Sequence, residues 1–318
     1  MTLGICGLGL MGSSVARGLI DDHTILGLDP DPDAAAGARR LGVTMVDSLS
    51  DMADCEVILL AAPTAVNAAL LTHLMTTGPR VPTADLGSVK GPIIGLWSTD
   101  RSFPFVATHP MAGSERSGVT AGAADLFRGS AWPVVVDADT DPGALVGVIR
   151  LILALGAHVV PVSAPVHDQI VAAVSHLPHL LAGALGDVVA NVPQRELAVS
   201  VAAGSFRDGS RVSASPPQRT AEFIATNRDA AAAARQAAAR LEAAATAIEN
   251  GDRAALAQWL APGAEVRAEF EARDSGSVSD IAVASAADVR DLLHAHRDSG
   301  WAVLAITESA VTVREGRA

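Results

Sequence analysis

A strand-like run, Thr2–Cys6, leads directly into Gly7-Leu8-Gly9-Leu10-Met11-Gly12 and then into a helical pattern. A GxGxxG string alone constrains little, because glycine is common in this chain. Between a strand and a helix it constrains a great deal. Gly7 permits the tight turn, Gly9 lets a pyrophosphate approach the backbone, and Gly12 lets the helix pack close to the strand. The turn hands over through Leu10, Met11 and Gly12 to a helix N-terminus, whose free N–H groups attract phosphate. Asp29 closes a second strand, Thr24–Leu28. A carboxylate there accepts hydrogen bonds from adenosine ribose hydroxyls and repels a 2′-phosphate, so NAD is expected in preference to NADP. Pro63 ends a third strand, Val57–Ala62, where the chain must leave the sheet beside such a cofactor; a plain strand stop explains it equally well.

The alternation continues. Met11–Ile20, Ala34–Leu41 and Val66–Met75 have helical periodicity, and Thr83–Leu86, Phe105–Thr108, Pro133–Val136 and Ala157–Pro161 read as further strands. Repeated strand–helix units predict a doubly wound, Rossmann-type α/β domain over 1–162. From 163 to 273 the texture is helical. His167–Val192 reads as one apolar helix kinked at Pro178, Asp229–Glu249 is alanine-rich, and Arg253–Ala272 is expected to break at Pro262-Gly263. An all-α half this apolar is expected to bury a partner subunit as well as its own core, which predicts a homodimer. Residues 274–318 form a small β-α-β-β appendage, too short for a secure domain, with pairing to its own copy as one way to complete it.

Composition removes several classes. The formal net charge of -12 argues against a nucleic-acid-binding surface, which needs a basic stripe. Two cysteines, Cys6 and Cys55, exclude a disulfide framework and a cysteine-rich zinc site, and no metal is expected. No uncharged apolar run reaches the roughly 18 residues of a membrane span, and no signal peptide opens the chain, so a cytosolic setting is expected. Tyrosine is absent, and lysine occurs once, at Lys90.

Three clusters carry chemistry. Asp85-Leu86-Gly87-Ser88-Val89-Lys90 follows the fourth strand and His109-Pro110-Met111-Ala112-Gly113-Ser114-Glu115 the fifth, both at carboxyl ends where open α/β sheets bind ligands. Ser205-Phe206-Arg207-Asp208-Gly209-Ser210-Arg211 lies in the helical half. Beside a nicotinamide, His109 can take a hydroxyl proton as hydride leaves the same carbon. Ser88 can hydrogen-bond the reacting oxygen, or serve as an ordinary turn serine. Lys90 can bind a carboxylate or phosphate, or steady its loop through Asp85. Arg207 and Arg211 offer bidentate forks to carboxylates, with Asp208 available to pair one of them.

GLGLMGSS, DLGSVK, HPMAGSE, SHLPH and FRDGSR occur in the order and spacing of prephenate/arogenate dehydrogenases, which the chain resembles over roughly residues 3–230. HPMAGSE and SHLPH are the most specific of these motifs. The resemblance implies oxidative decarboxylation of prephenate or arogenate with NAD, a step of tyrosine biosynthesis. It implies His109 as the base on the ring hydroxyl, with Ser88 beside it and Arg211 on the ring carboxylate. Ser114 and Glu115 would lie near the substrate side chain, with Glu115 as a gate. Ser175 and His179 would line the pocket, and His167 would reach a neighbouring subunit's site. His176 reads equally as a core histidine. Many relatives carry an aromatic in a Ser-Asp-Pro-x-x-Trp run where this chain has Ser215-Pro216-Pro217-Gln218-Arg219-Thr220. Two competing readings are a β-hydroxyacid dehydrogenase, whose catalytic lysine in the second half is missing here, and a non-catalytic NAD-responsive scaffold.

Overall fold

Six strands alternate with helices in the first part of the chain. They are β1 (Thr2–Cys6), β2 (Thr24–Leu28), β3 (Thr44–Met45), β4 (Val57–Leu60), β5 (Thr83–Asp85) and β6 (Phe105–Ala107). The computed structural model describes residues 1–114 and 116–316. Every pairing in this sheet is parallel, in the order β3-β2-β1-β4-β5-β6. That is the doubly wound order, and its direction reverses between β1 and β4, where a crevice opens at the carboxyl ends. The four residues of β4 are all buried, as expected of a strand covered on both faces. The linking helices are α1 (Leu10–Leu19), α2 (Pro32–Arg40), α3 (Thr64–Thr76) and α4 (Gly91–Trp97). Helix α2 starts where Asp31 accepts the N–H groups of Asp33 and Ala34, with Pro32 at the first helical position.

The chain divides into two units: Met1–Asp168 with Val278–Glu315, and Gln169–Ser277 with Gly316. These boundaries differ from the expected 1–162, 163–273 and 274–318. Strands β7 (Ala131–Val135) and β8 (His158–Val162) do not extend the first sheet as expected. They begin a second one, completed by β9 (Val278–Ala282), β10 (Ala302–Ile306) and β11 (Ala310–Arg314) in the order β7-β8-β10-β11-β9. The expected β-α-β-β succession is present. It is not a free appendage, because Val303 of β10 pairs with Val159 of β8 in the same chain. The reason is burial. Val303, Val311, Val313 and Leu293 join Leu145 and Ile149 of helix α5 (Pro142–Ala154) in one core. A fragment of roughly forty residues buries too little surface to dry those side chains alone. The boundary expected at 162/163 falls instead after Asp168, because His167 and Asp168 bond to loops of the first unit, as described below.

The second unit is helical. Helix α6 (Ala164–Val171), which crosses the unit boundary, runs into a π-helical turn, Ala172–His176, and then into α7 (Leu177–Ala190). The expected irregularity at Pro178 takes this form, a wider turn just ahead of a residue that lacks an N–H. Helices α8 (Arg195–Ser200), α9 (Gly204–Ser210), α10 (Pro217–Thr226), α11 (Asp229–Glu249) and α12 (Arg253–Ala272) follow. The break expected at Pro262-Gly263 does not occur, and α12 runs through it. Next to the proline, Trp259 Nε1 donates to the Arg240 carbonyl at 2.6 Å, and Arg240 donates back to the Trp259 carbonyl at 3.3 Å. This hold on α11 offsets one missing helical hydrogen bond. By length and composition alone Ala164–Ala190 could cross a membrane, although it is not an uncharged run, since it carries Asp168 and Asp187.

Candidate active site and dinucleotide cradle

Gly7 adopts φ +92°, a conformation side chains rarely allow, and its N–H donates to the Leu28 carbonyl at 2.9 Å. A Cβ at Gly7 would collide with the backbone of Ala61 and Ala62, and one at Gly12 with the carbonyl of Gly7. A Cβ at Gly9 would meet nothing within 4 Å, so that face of the backbone is open. The first hydrogen bond of α1 runs from the Ser13 N–H to the Gly9 carbonyl at 3.0 Å. The N–H groups of Leu10, Met11 and Gly12 therefore precede the helical ladder and are directed outward from its N-terminus. Asp29 accepts the Leu8 N–H at 2.6 Å and the Asp31 N–H at 2.9 Å, which fixes its carboxylate beside the turn. Pro63 caps α3, and its approach is braced by buried Asn67, which bonds the Ala62 N–H and the Leu60 carbonyl, both at 3.0 Å. An anionic dinucleotide fits this cradle: open backbone for the pyrophosphate, a helix N-terminus for its charge, and an oriented carboxylate for a ribose.

The two loops at β5 and β6 are tied together from beneath. The Lys90 ammonium is fully buried, 2.5 Å from Asp85 Oδ2 and 2.6 Å from the Thr108 carbonyl. Burial pushes its pKa below the ordinary lysine value, while the Asp85 carboxylate works in the other direction. Thr108 returns its hydroxyl to the Asp85 carbonyl at 2.6 Å and accepts the Trp132 indole N–H at 3.0 Å. Of the two roles open to Lys90, the structure selects loop support. As a substrate ligand it is corrected, because an ammonium with no solvent exposure cannot meet a substrate.

His109 follows Thr108, with its backbone N–H on the Pro133 carbonyl at 3.0 Å. Its Nδ1 lies 3.0 Å from His167 Nε2, and His167 Nδ1 lies 2.7 Å from Asp168 Oδ1. Asp168 in turn accepts the N–H groups of Lys90 and Gly91, each at 2.8 Å, at the start of α4. Burial lowers the His167 pKa below the ordinary histidine value, against the opposing effect of the hydrogen bond it donates to Asp168. Burial works to raise Asp168, but the hydrogen bonds from His167, Lys90 and Gly91 outweigh it and hold its carboxyl below the usual range. The expectation that His167 reaches a neighbouring subunit's site is corrected: it is 1% exposed and spends its Nε2 on His109 of its own chain. Asp168 was not singled out from the sequence, although its place beside His167 was the available signal.

Ser88 is half-buried in the loop between Asp85 and Lys90. The Ser114 hydroxyl oxygen accepts the Arg116 N–H at 3.1 Å. Glu115 lies outside the described residues. In the helical unit, Phe223 of α10 packs against both His176 and His179, with ring centroids 5.3 and 5.2 Å apart. His176 is fully buried, whereas Ser175 and His179 are half-buried. The His179 pKa is lowered by burial first, then by the charges of Arg219 and Arg211. Arg211 opens a short 3-10 turn, Arg211–Ala214, and Arg219 reaches Ser215 Oγ at 3.5 Å. Arg207 is exposed and pairs with Asp208 at 3.5 Å, which leaves Arg211 as the fork grouped with His179. Phe223 lies three residues beyond Thr220, outside the Ser-Asp-Pro-x-x-Trp pattern, so no motif marks it in the sequence.

An open parallel sheet of this order, with a glycine cradle at its switch point, defines a Rossmann-type dinucleotide-binding protein. The family model described as prephenate dehydrogenase, nucleotide-binding domain, matches residues 15–161, and that described as prephenate dehydrogenase, dimerization domain, matches 163–262. A prephenate dehydrogenase of Bacillus subtilis is 31% identical over 244 residues, 72% of this chain and 64% of that protein. The chain thus spans somewhat under two thirds of that relative's length. The solved structure of prephenate dehydrogenase from A. aeolicus, in complex with hydroxyphenyl propionate and NAD+, is 26% identical with a TM-score of 0.76, over 85% of this chain and 98% of that one. Synechocystis arogenate dehydrogenase is 26% identical with a TM-score of 0.71, over 85% of this chain and 100% of that one. The chain belongs to the prephenate dehydrogenase family.

Proposed function

We propose that this protein catalyses NAD-dependent oxidative decarboxylation of prephenate, arogenate or both, yielding 4-hydroxyphenylpyruvate or tyrosine, NADH and CO2. The observation that carries the reading is His109, held by His167 at the carboxyl end of β6, in the sheet whose β1 ends in the dinucleotide cradle. Gly7, Gly9, Leu10, Met11, Gly12, Asp29 and Pro63 would hold NAD+, which supplies the hydride acceptor. His109 takes the ring hydroxyl proton as hydride leaves the same carbon. Ser88 hydrogen-bonds that hydroxyl. The ring carboxylate leaves as CO2, its bonding electrons complete the aromatic ring, and His109 returns the proton to the ring oxygen. Ring aromatisation drives the reaction, so alignment and proton transfer are the protein's main contributions.

Arg211 is assigned to a substrate carboxylate, with Ser175 and His179 lining the pocket and Ser114 toward the substrate side chain. Replacing Arg211 by Gln should raise KM about ten- to hundredfold, the loss expected for a hydrogen bond to a charged group. An unchanged KM would move that role to Arg219. The relatives' names include both prephenate and arogenate dehydrogenases, and the side-chain preference is part of the proposal. Adding each substrate with NAD+ and following NADH absorbance tests the reaction. Turnover with at least one is expected. NAD binding without turnover of either would favour a scaffold. A β-hydroxyacid dehydrogenase is disfavoured, because the one lysine of the chain is buried on Asp85.

The assembly is proposed as a homodimer through the helical unit. Val174, Val188, Val201 and Ile248 are each at least 60% exposed, an apolar load that a second copy would cover. Light scattering should give twice the chain mass, and a monomer at micromolar concentration would remove this part. A cytosolic setting belongs to the same proposal.

A further inference from the structure

The chain of contacts behind His109 specifies more than a position. A carboxylate can only accept hydrogen bonds, and Asp168 is anchored as an acceptor by the Lys90 and Gly91 N–H groups. His167 must therefore carry its proton on Nδ1, the nitrogen 2.7 Å from Asp168. A neutral His167 then presents the lone pair of Nε2 to its neighbour, 3.0 Å away. His109 must supply the proton of that contact from its own Nδ1. We propose that His167 and Asp168 are positioning residues that hold His109 as the Nδ1–H tautomer, so that its Nε2 carries the lone pair that receives the substrate proton. This deepens the reading of His109 as the base and rests on it; the tautomer itself does not.

Burial of His167 favours its neutral form, as the assignment requires, and the charged groups bearing on it are Asp168, Lys90 and Asp85. When His109 takes a proton on Nε2, the resulting imidazolium keeps its Nδ1–H on His167. Its charge faces a neutral ring backed by the Asp168 carboxylate. No proton needs to move along the chain of contacts during the reaction. The arrangement follows the logic by which an aspartate orients the catalytic histidine of a serine protease. Here a second histidine stands between carboxylate and base, because Asp168 is committed to the start of α4.

Ring-nitrogen NMR of histidine-labelled full-length protein reads the tautomer without any turnover, with His109 identified by the signals lost in His109→Asn. The wild type should give the Nδ1–H form. His167→Gln, whose amide oxygen can accept the same proton, should keep that form. His167→Leu should give a mixture. In kinetics, His167→Leu should lose about 10²-fold in kcat with KM and NAD affinity within a few fold, and His167→Gln should recover at least about tenfold of that loss. An Nε2–H signal for His109 in the wild type would overturn the inference, as would equal kcat for the Gln and Leu variants. If His167→Leu does not fold, the wild-type and His167→Gln spectra still decide. If the folded wild type turns over neither substrate, the proposed reaction fails and the spectra alone decide the tautomer.

Discussion

Replacing His109 by Asn should lower kcat by at least about 10²-fold, the low end for a lost general base, with NAD affinity nearly unchanged. Asparagine retains a polar side chain of similar reach but cannot hold a proton at neutral pH. The backbone should stay in place, because the loop is held by the His109 N–H on Pro133 and by the Lys90 ammonium on the Thr108 carbonyl. The cradle at β1 is shaped by its own hydrogen bonds, from the Gly7 N–H to Leu28 and from the Leu8 and Asp31 N–H groups to Asp29, so cofactor titration serves as the internal control. Steady-state kinetics beside NAD titration separates the two effects. Near-normal turnover would remove His109 as the base.

Lys90→Met should be the most destabilising of the substitutions considered, by about 3–5 kcal/mol, the usual cost of leaving one partner of a buried ion pair unmatched. Methionine fills much of the volume but offers nothing to Asp85 Oδ2 or to the Thr108 carbonyl, and both sites are dry. Lys90→Arg should give little rescue, because a planar fork does not fit a fully enclosed ammonium site. Lys90→Met combined with Asp85→Asn should recover part of the loss, since the orphaned charge is then gone. Chemical denaturation followed by circular dichroism measures each variant. A Lys90→Met midpoint equal to that of the wild type would mean that water or a rearranged Asp85 already supports the site. Because the clamp joins the loop of Ser88 to the loop of His109, kcat should fall with stability.

Much of the first unit was legible from local pattern. β1 and β2 were read to the residue, and β4, β5 and β6 to within two residues, because a buried parallel strand is a short apolar run with sharp ends. The glycine turn was legible because backbone conformation at Gly7 is a local steric matter. Membership of the second sheet was not. β7 and β8 look like any other buried strands, and only the apolar face of the chain's last strands, packed on α5, draws them into a different sheet. The continuity of α12 across Pro262 was hidden for a similar reason, since its support comes from Arg240, on another helix.

At the site, residue identity pointed to the roles proposed for His109, a base, and for Asp29, a ribose ligand, because each follows from functional groups placed at a strand end. Lys90 carried two readings until its surroundings were known; an ammonium on a surface and one in a sealed pocket are the same letter. The His109–His167 contact joins residues 58 apart in sequence, and no periodicity encodes it. Sequence alone determined the strand, turn and helix of the dinucleotide cradle and the chemical types at its rim, because these depend on dihedral preferences and neighbours a few residues away. Tertiary structure alone decided which loop Lys90 supports, which histidine backs His109, and which sheet receives the C-terminal strands. Those outcomes depend on which distant surfaces remain to be buried and which polar groups remain to be satisfied once the local elements have formed.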